Sequence, residues 1–241
     1  MIQIFKDAEA LALAAAELFL TTAQEAIETR GKFTVALTGG SSPEKLYRLL
    51  AKESDNKNVD WNKVFVFWGD ERWVPIADEK SNAGMTFKVL LDHLPIPGNQ
   101  VFPMWADNSE PEDRAEVYEK LLVEYLGNEG KFDLILSGMG DDGHTASLFP
   151  GTAVLHEHEK WVAAYYLEPQ EMYRITLTAP LLNRARKNVV IVFGSTKAAA
   201  LKEVIEGEND FEKYPSQLLK PSEGGELLWF VDEAAAEKLS K

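Results

Sequence analysis

Cysteine is missing from all 241 residues, which rules out disulfides, thiolate metal sites and a cysteine nucleophile. Its absence also fits a reducing compartment. Positive charge is scarce as well: 25 Lys and Arg stand against 39 Asp and Glu, a formal net charge of −14. No basic block interrupts that excess, so neither nucleic acid nor an anionic membrane is expected as a partner, since both need a positive footprint. Uninterrupted apolar runs are too short to cross a bilayer. The N-terminal run, residues 10–20, contains Glu17, follows Asp7 and Glu9, and has neither the basic flank nor the small-residue cleavage site of a signal peptide. A cytoplasmic protein is expected.

Apolar residues make up 45% of the chain, enough for a sizeable core. The length suits one α/β domain spanning 1–241, with residues 75–108 set apart as a candidate small lobe. Strand patterns fall at 3–5, 32–37, 64–68, 132–136, 161–165, 174–177, 188–193 and 227–231. Helical patterns fall at 8–29, 42–50, 82–91, from the polar stretch 107–114 through Leu126, from near Pro180, and at 197–205. A last helix is expected at 233–239, capped by Asp232. Trp61, Phe65, Phe67, Trp68 and Trp73 cluster in sequence and are expected mostly in the core. Strands alternating with helices predict a Rossmann-like, mostly parallel sheet with helices on both faces. Ligands of such sheets bind beyond the carboxyl ends of the strands, near a topological switch point.

Four turns are expected at those ends. Phe132–Gly151 (FDLILSGMGDDGHTASLFPG) runs from a buried strand into a glycine turn carrying Asp141, Asp142 and His144. A histidine there can exchange a proton near neutral pH, and glycines let a ligand approach the backbone. Taken alone, the same turn could merely satisfy backbone groups. Thr38-Gly39-Gly40-Ser41-Ser42-Pro43 joins a strand to a helix N-terminus, where free N–H groups and the helix dipole suit a phosphate. Its spacing fits neither a Walker loop nor a GxGxxG fingerprint. Gly69-Asp70-Glu71-Arg72 offers a guanidinium fork with carboxylates to orient it, although a surface ion pair would look the same. Lys197, in GSTKA, and Arg174 add cations that are expected at strand ends. His156 and His158 share a spacing seen in metal pairs, but no third ligand accompanies them, and His93 reads as a helix-end residue. No metal is expected.

Together these segments resemble the 6-phosphogluconolactonase family. The matching motifs are LTGGSSPEKLY, FWGDERWVP with SNAGM following, LSGMGDDGHTASLFPG, RITLTAPLLNRA, FGSTKAAAL and LLWFVDEAAA, in family order from about Val35 onward. One departure is Ala83-Gly84 after Asn82, where the family often has an aromatic residue. The resemblance implies the glucosamine-6-phosphate deaminase/6-phosphogluconolactonase type of fold. It implies cofactor-free and metal-free hydrolysis of 6-phospho-D-glucono-1,5-lactone to 6-phosphogluconate, in the oxidative pentose phosphate pathway. His144 matches the family's general base, with Asp142 beside it. Substrate contacts are expected from Gly39, Gly40, Ser41, Ser42, Asp70, Arg72, Gly140, Arg174 and Lys197. Which cation takes the phosphate, and whether the protein is a monomer or a homodimer, stay open.

Deaminases of the same superfamily carry DGH followed by AFNEP, with a catalytic Glu five residues after the His. Here that position is Phe149, which cannot relay a proton and so favours the lactonase. An amino-sugar phosphate isomerase or deaminase is therefore the lesser alternative. A non-catalytic sugar-phosphate sensor is another; such sensors usually add a DNA-binding segment, and this acidic chain starts directly with its first strand.

Overall fold

The structure, a computed structural model, describes residues 1–40, 42–52 and 59–240. Nine strands form two sheets among these residues. The larger sheet contains β1 (Ile2–Phe5), β2 (Phe33–Leu37), β3 (Val64–Trp68), β5 (Leu134–Gly138), β8 (Lys187–Val192) and β9 (Glu226–Asp232). Its order is β1-β9-β8-β5-β2-β3, and every neighbouring pair is parallel. β2 lies between β3 on one side and β5 on the other, so the chain reverses its direction of travel across the sheet at the β2/β5 boundary. That is a topological switch point, where a crevice opens at the carboxyl ends.

Helices α1 (Ala8–Arg30), α2 (Glu44–Lys52), α3 (Asn82–Val89), α4 (Pro111–Leu126), α5 (Ala179–Leu182) and α6 (Ala198–Glu206) connect the strands. Asp7 caps α1 by accepting from the Ala10 N–H at 2.9 Å, and Gly31, in left-handed conformation, ends it. By length and composition α1 could cross a membrane, which the short apolar runs did not suggest. In the fold, Leu11, Ala15, Phe19, Ala23 and Ala26 form a buried stripe at helical spacing within the core. Phe67 on β3 is the aromatic hub. Its ring stacks on Phe102 at 4.9 Å and meets Tyr118, Tyr125 and Phe132 edge-on. Such a fully buried ring contributes about 1.5–3 kcal/mol through area alone. Trp61 and Trp68 are buried as expected, whereas Phe65 and Trp73 are half-buried. Leu90, Leu91, Leu94 and Met104, from the 75–108 segment, lie in that same buried cluster.

Three sequence expectations are corrected. Residues 161–165 and 174–177 do not join the parallel sheet. They form the hairpin β6 (Val162–Leu167) and β7 (Met172–Leu177), because the segment between them is too short for a parallel crossover. Residues 70–72, expected as a turn, form β4 (Asp70–Arg72), which pairs antiparallel with β7 to complete a second, three-stranded sheet. Gly69 bridges the sheets: its N–H donates to Leu37 O, and its carbonyl accepts from Leu177 N, both at 2.8 Å. The C-terminal helix does not form either. Residues 233–238 make only successive turns, although Asp232 does cap them, accepting from Ala235 N at 2.8 Å.

Candidate active site

Three turns and the short strand β4 follow the carboxyl ends of β2, β5, β8 and β3 and meet around a cavity of about 210 Å³. Gly39, Gly40, Ser42, Asp70, Arg72, Gly140, His144 and Lys197 all line it. Ser41 lies outside the described residues. Asp142 stands behind His144 and faces a neighbouring depression shared with Phe149 and Tyr165. Arg174 is not at a strand end as expected. It sits inside β7, opposite Arg72 in the β4–β7 register, and is buried. Asn82 and Asp141 also line the cavity. SNAGM and GDDGH pointed to their segments, but nothing in the spacing gave either residue a role.

The β5 turn is closed by its own backbone. Gly140 N donates to His144 O at 2.8 Å, and the Asp142 carboxylate accepts from the His144 N–H at 3.1 Å. The same carboxylate lies 2.5 Å from His144 Nδ1. An ionised carboxylate has no proton to give, so in the neutral imidazole Nδ1 carries the hydrogen and Nε2 the lone pair. Burial raises the Asp142 carboxyl, but the hydrogen bond and charge of His144 outweigh that and hold it below the ordinary range. On the ring face, Phe149 stacks on His144 with centroids 4.0 Å apart. The Arg174 guanidinium lies 5.6 Å from the Phe149 centroid. The position that carries a glutamate in the deaminase motif is thus packed as an aromatic support for the imidazole.

The small sheet braces this turn. Ser147 Oγ donates to Asp70 at 2.7 Å, Tyr165 Oη donates to Ser147 O at 2.6 Å, and Ser147 N donates to Thr176 Oγ1 at 3.1 Å. Beside it, Tyr47 both donates to Thr38 O and accepts from Thr38 N, fixing the end of β2.

Glycine has an unexpected purpose here. Gly39 and Gly140 are absent from the positive-φ glycines, so ordinary backbone angles would admit a side chain. Space would not. A Cβ on Gly39 would lie 1.8 Å from Asn82 Oδ1, and one on Gly140 would lie 2.1 Å from His144 Nδ1. The groups that approach these glycines closely are the protein's own site side chains.

Glu71 ties the segments together from beneath. It is fully buried and accepts from Arg72 N at 2.8 Å, Asn82 N at 2.7 Å, Ala83 N at 2.8 Å and Ser81 Oγ at 3.1 Å. Burial pushes its carboxyl up, to about 7, against the pull of those donors. Its oxygens meet only donors, so Glu71→Gln would turn an amide NH₂ toward two of them. That variant should lose about 3 kcal/mol of stability, measured by urea unfolding, as expected for stranded buried polar groups. An unchanged midpoint would show that the clamp contributes nothing.

The cations differ in how they are satisfied. Arg72 donates to Lys80 O at 2.7 Å, yet its Nε is buried without a partner. Arg174 donates to Gln170 Oε1, and its Nε is likewise unpartnered. Burial lowers the Arg174 pKa, with the Asp70 charge working against that shift. Among the described residues neither arginine forms an ion pair. Two adjacent guanidiniums with spare donors are a costly arrangement that an anion would relieve.

Comparison with known proteins now decides the lineage. The family model described as glucosamine-6-phosphate isomerases/6-phosphogluconolactonase matches residues 6–229. The chain belongs to that family. Within it, a 6-phosphogluconolactonase of Synechocystis sp. is 40% identical, over 91% of this chain and 90% of the relative. The solved 6-phosphogluconolactonase of Trypanosoma brucei superposes with a TM-score of 0.85 at 26% identity, covering 100% of this chain and 98% of that one. A monomeric glucosamine-6-phosphate deaminase shares the fold alone, with a TM-score of 0.83 at 20% identity over 98% of this chain and 99% of that one.

Proposed function

We propose that this chain hydrolyses 6-phospho-D-glucono-1,5-lactone to 6-phospho-D-gluconate, with His144 as the general base. The observation that carries the reading is the 2.5 Å contact of His144 Nδ1 with Asp142, which leaves Nε2 as the basic nitrogen of a cavity-lining imidazole. Nε2 takes a proton from water as its oxygen adds to the C1 carbonyl. The resulting oxyanion is stabilised by N–H groups of the glycine turns. On collapse, the C1–ring oxygen bond breaks. The imidazolium returns its proton to the departing oxygen, and the new carboxylic acid loses its own proton to solvent. Neither a metal nor a redox partner enters this balance.

Phosphate anchoring falls to Arg72 and Lys197 at the cavity, with Arg174 adding charge from behind Phe149. Binding this remote group orients the carbonyl toward the imidazole, which is how distant contacts assist a chemical step. Arg72→Ala should accordingly weaken 6-phosphogluconate binding by about tenfold to a hundredfold, the range of a lost charge-assisted fork. Calorimetry that found unchanged affinity would remove Arg72 from the anchor.

Proton release from freshly prepared lactone, well above the enzyme-free blank, tests the reaction itself. Activity on an amino-sugar phosphate with none on the lactone would establish the deaminase alternative.

A further inference from the structure

Lys197 is the cavity cation whose charge is already matched. Its Nζ lies 2.7 Å from Asp141 Oδ1, and both residues line the cavity. The two ends of this pair are unequal: the Lys197 side chain is 20% exposed, whereas that of Asp141 is 74% exposed. The lysine therefore stays where it is, while the carboxylate can turn out into water at little desolvation cost. We infer that Asp141 is a resident counter-anion, occupying Lys197 until a ligand carrying a stronger negative charge displaces it. This inference rests on the assignment of Lys197 to the phosphate anchor.

The arrangement sets a charge threshold. A monoanion offers Lys197 no more than Asp141 already supplies, so the exchange gains little. A phosphate dianion offers twice the charge, and the lysine transfers to it. Asp141 also neighbours Asp142, the partner of His144, so pairing with Lys197 relieves repulsion between adjacent carboxylates while the site is empty. The phosphate must overcome that relief, so Asp141 selects for dianionic ligands at some cost in affinity.

Calorimetric titration of 6-phosphogluconate, with unphosphorylated gluconate as control, tests this in wild type, Asp141→Asn, Asp141→Glu, Lys197→Gln and the Asp141→Asn/Lys197→Gln pair. Asp141→Asn should bind 6-phosphogluconate about three- to tenfold more tightly at low salt, with the gain shrinking as salt screens it. Asp141→Glu should stay near wild type, and the gain should vanish in the Lys197→Gln background. Equal or weaker binding by Asp141→Asn, with Lys197→Gln still impaired, would overturn the counter-anion while the anchor stands. Wild-type affinity in Lys197→Gln would overturn the anchor, and the counter-anion with it. An equal gain for gluconate would overturn the charge threshold.

Discussion

Replacing His144 with alanine is expected to lower kcat on the lactone by about 10²–10⁴-fold, the contribution of a positioned general base. Binding of 6-phosphogluconate should stay within about twofold, because the variant leaves uniform binding contacts in place. The two halves of this expectation have separate structural grounds. The imidazole is the cavity group whose tautomer is fixed from behind, by a carboxylate 2.5 Å from Nδ1. The anchoring candidates Arg72 and Lys197 leave other strands and make no hydrogen bond to His144. Removal of the ring should therefore strip out the base without dismantling the anchor. The comparison must be made after subtracting spontaneous opening of the lactone, which sets a floor under every variant. A variant that turns over at the wild-type rate would assign proton transfer to another group. A variant that loses affinity and rate together would make His144 a binding residue.

The parts of this site legible in the sequence are those that obey local rules. Strand-to-glycine transitions placed the four site segments at carboxyl ends, and the parallel sheet followed from alternation of strands and helices. His144 was readable as a histidine on a glycine turn at a strand end, whereas a role for Asp142 came forward only through the family resemblance, and its contact with Nδ1 is seen in the structure. What was not legible depends on contacts distant in sequence. β4 is only Asp70–Arg72, too short to show a period, and it is a strand because β7 pairs with it. That pairing sets Arg174 opposite Arg72, more than a hundred residues away along the chain. The failed C-terminal helix is the reverse case. Residues 233–239 have good local propensity and an Asp232 cap, yet a stretch this short is marginal as an isolated helix and ends as turns. Phe149 was informative in the sequence for what it cannot do. The structure adds that its ring packs flat on His144, so the residue that denies one chemistry also supports the base of another.

Gly140→Ala should be nearly as damaging to turnover as loss of His144 itself, with little loss of overall stability. Alanine can adopt the backbone angles at this position, since Gly140 is not among the positive-φ glycines. The penalty is therefore local and steric. Its Cβ would lie 2.1 Å from His144 Nδ1, 2.3 Å from Cε1 and 2.5 Å from Asp142 Oδ1. Contacts that short do not persist, so one partner must move. The backbone cannot move easily, because Gly140 N is bonded to His144 O at 2.8 Å and β5 lies immediately upstream. The imidazole and the carboxylate must separate instead, and with their contact goes the control of the tautomer. Displacement of about 1 Å at a reacting group is enough to cost about a hundredfold in rate. Thermal unfolding together with kcat separates the possibilities: a wild-type Tm with a hundredfold lower kcat is the expected pair of results. A wild-type kcat would mean that the turn relaxes around the extra methyl, and the crowding of His144 against Gly140 would then have no catalytic consequence.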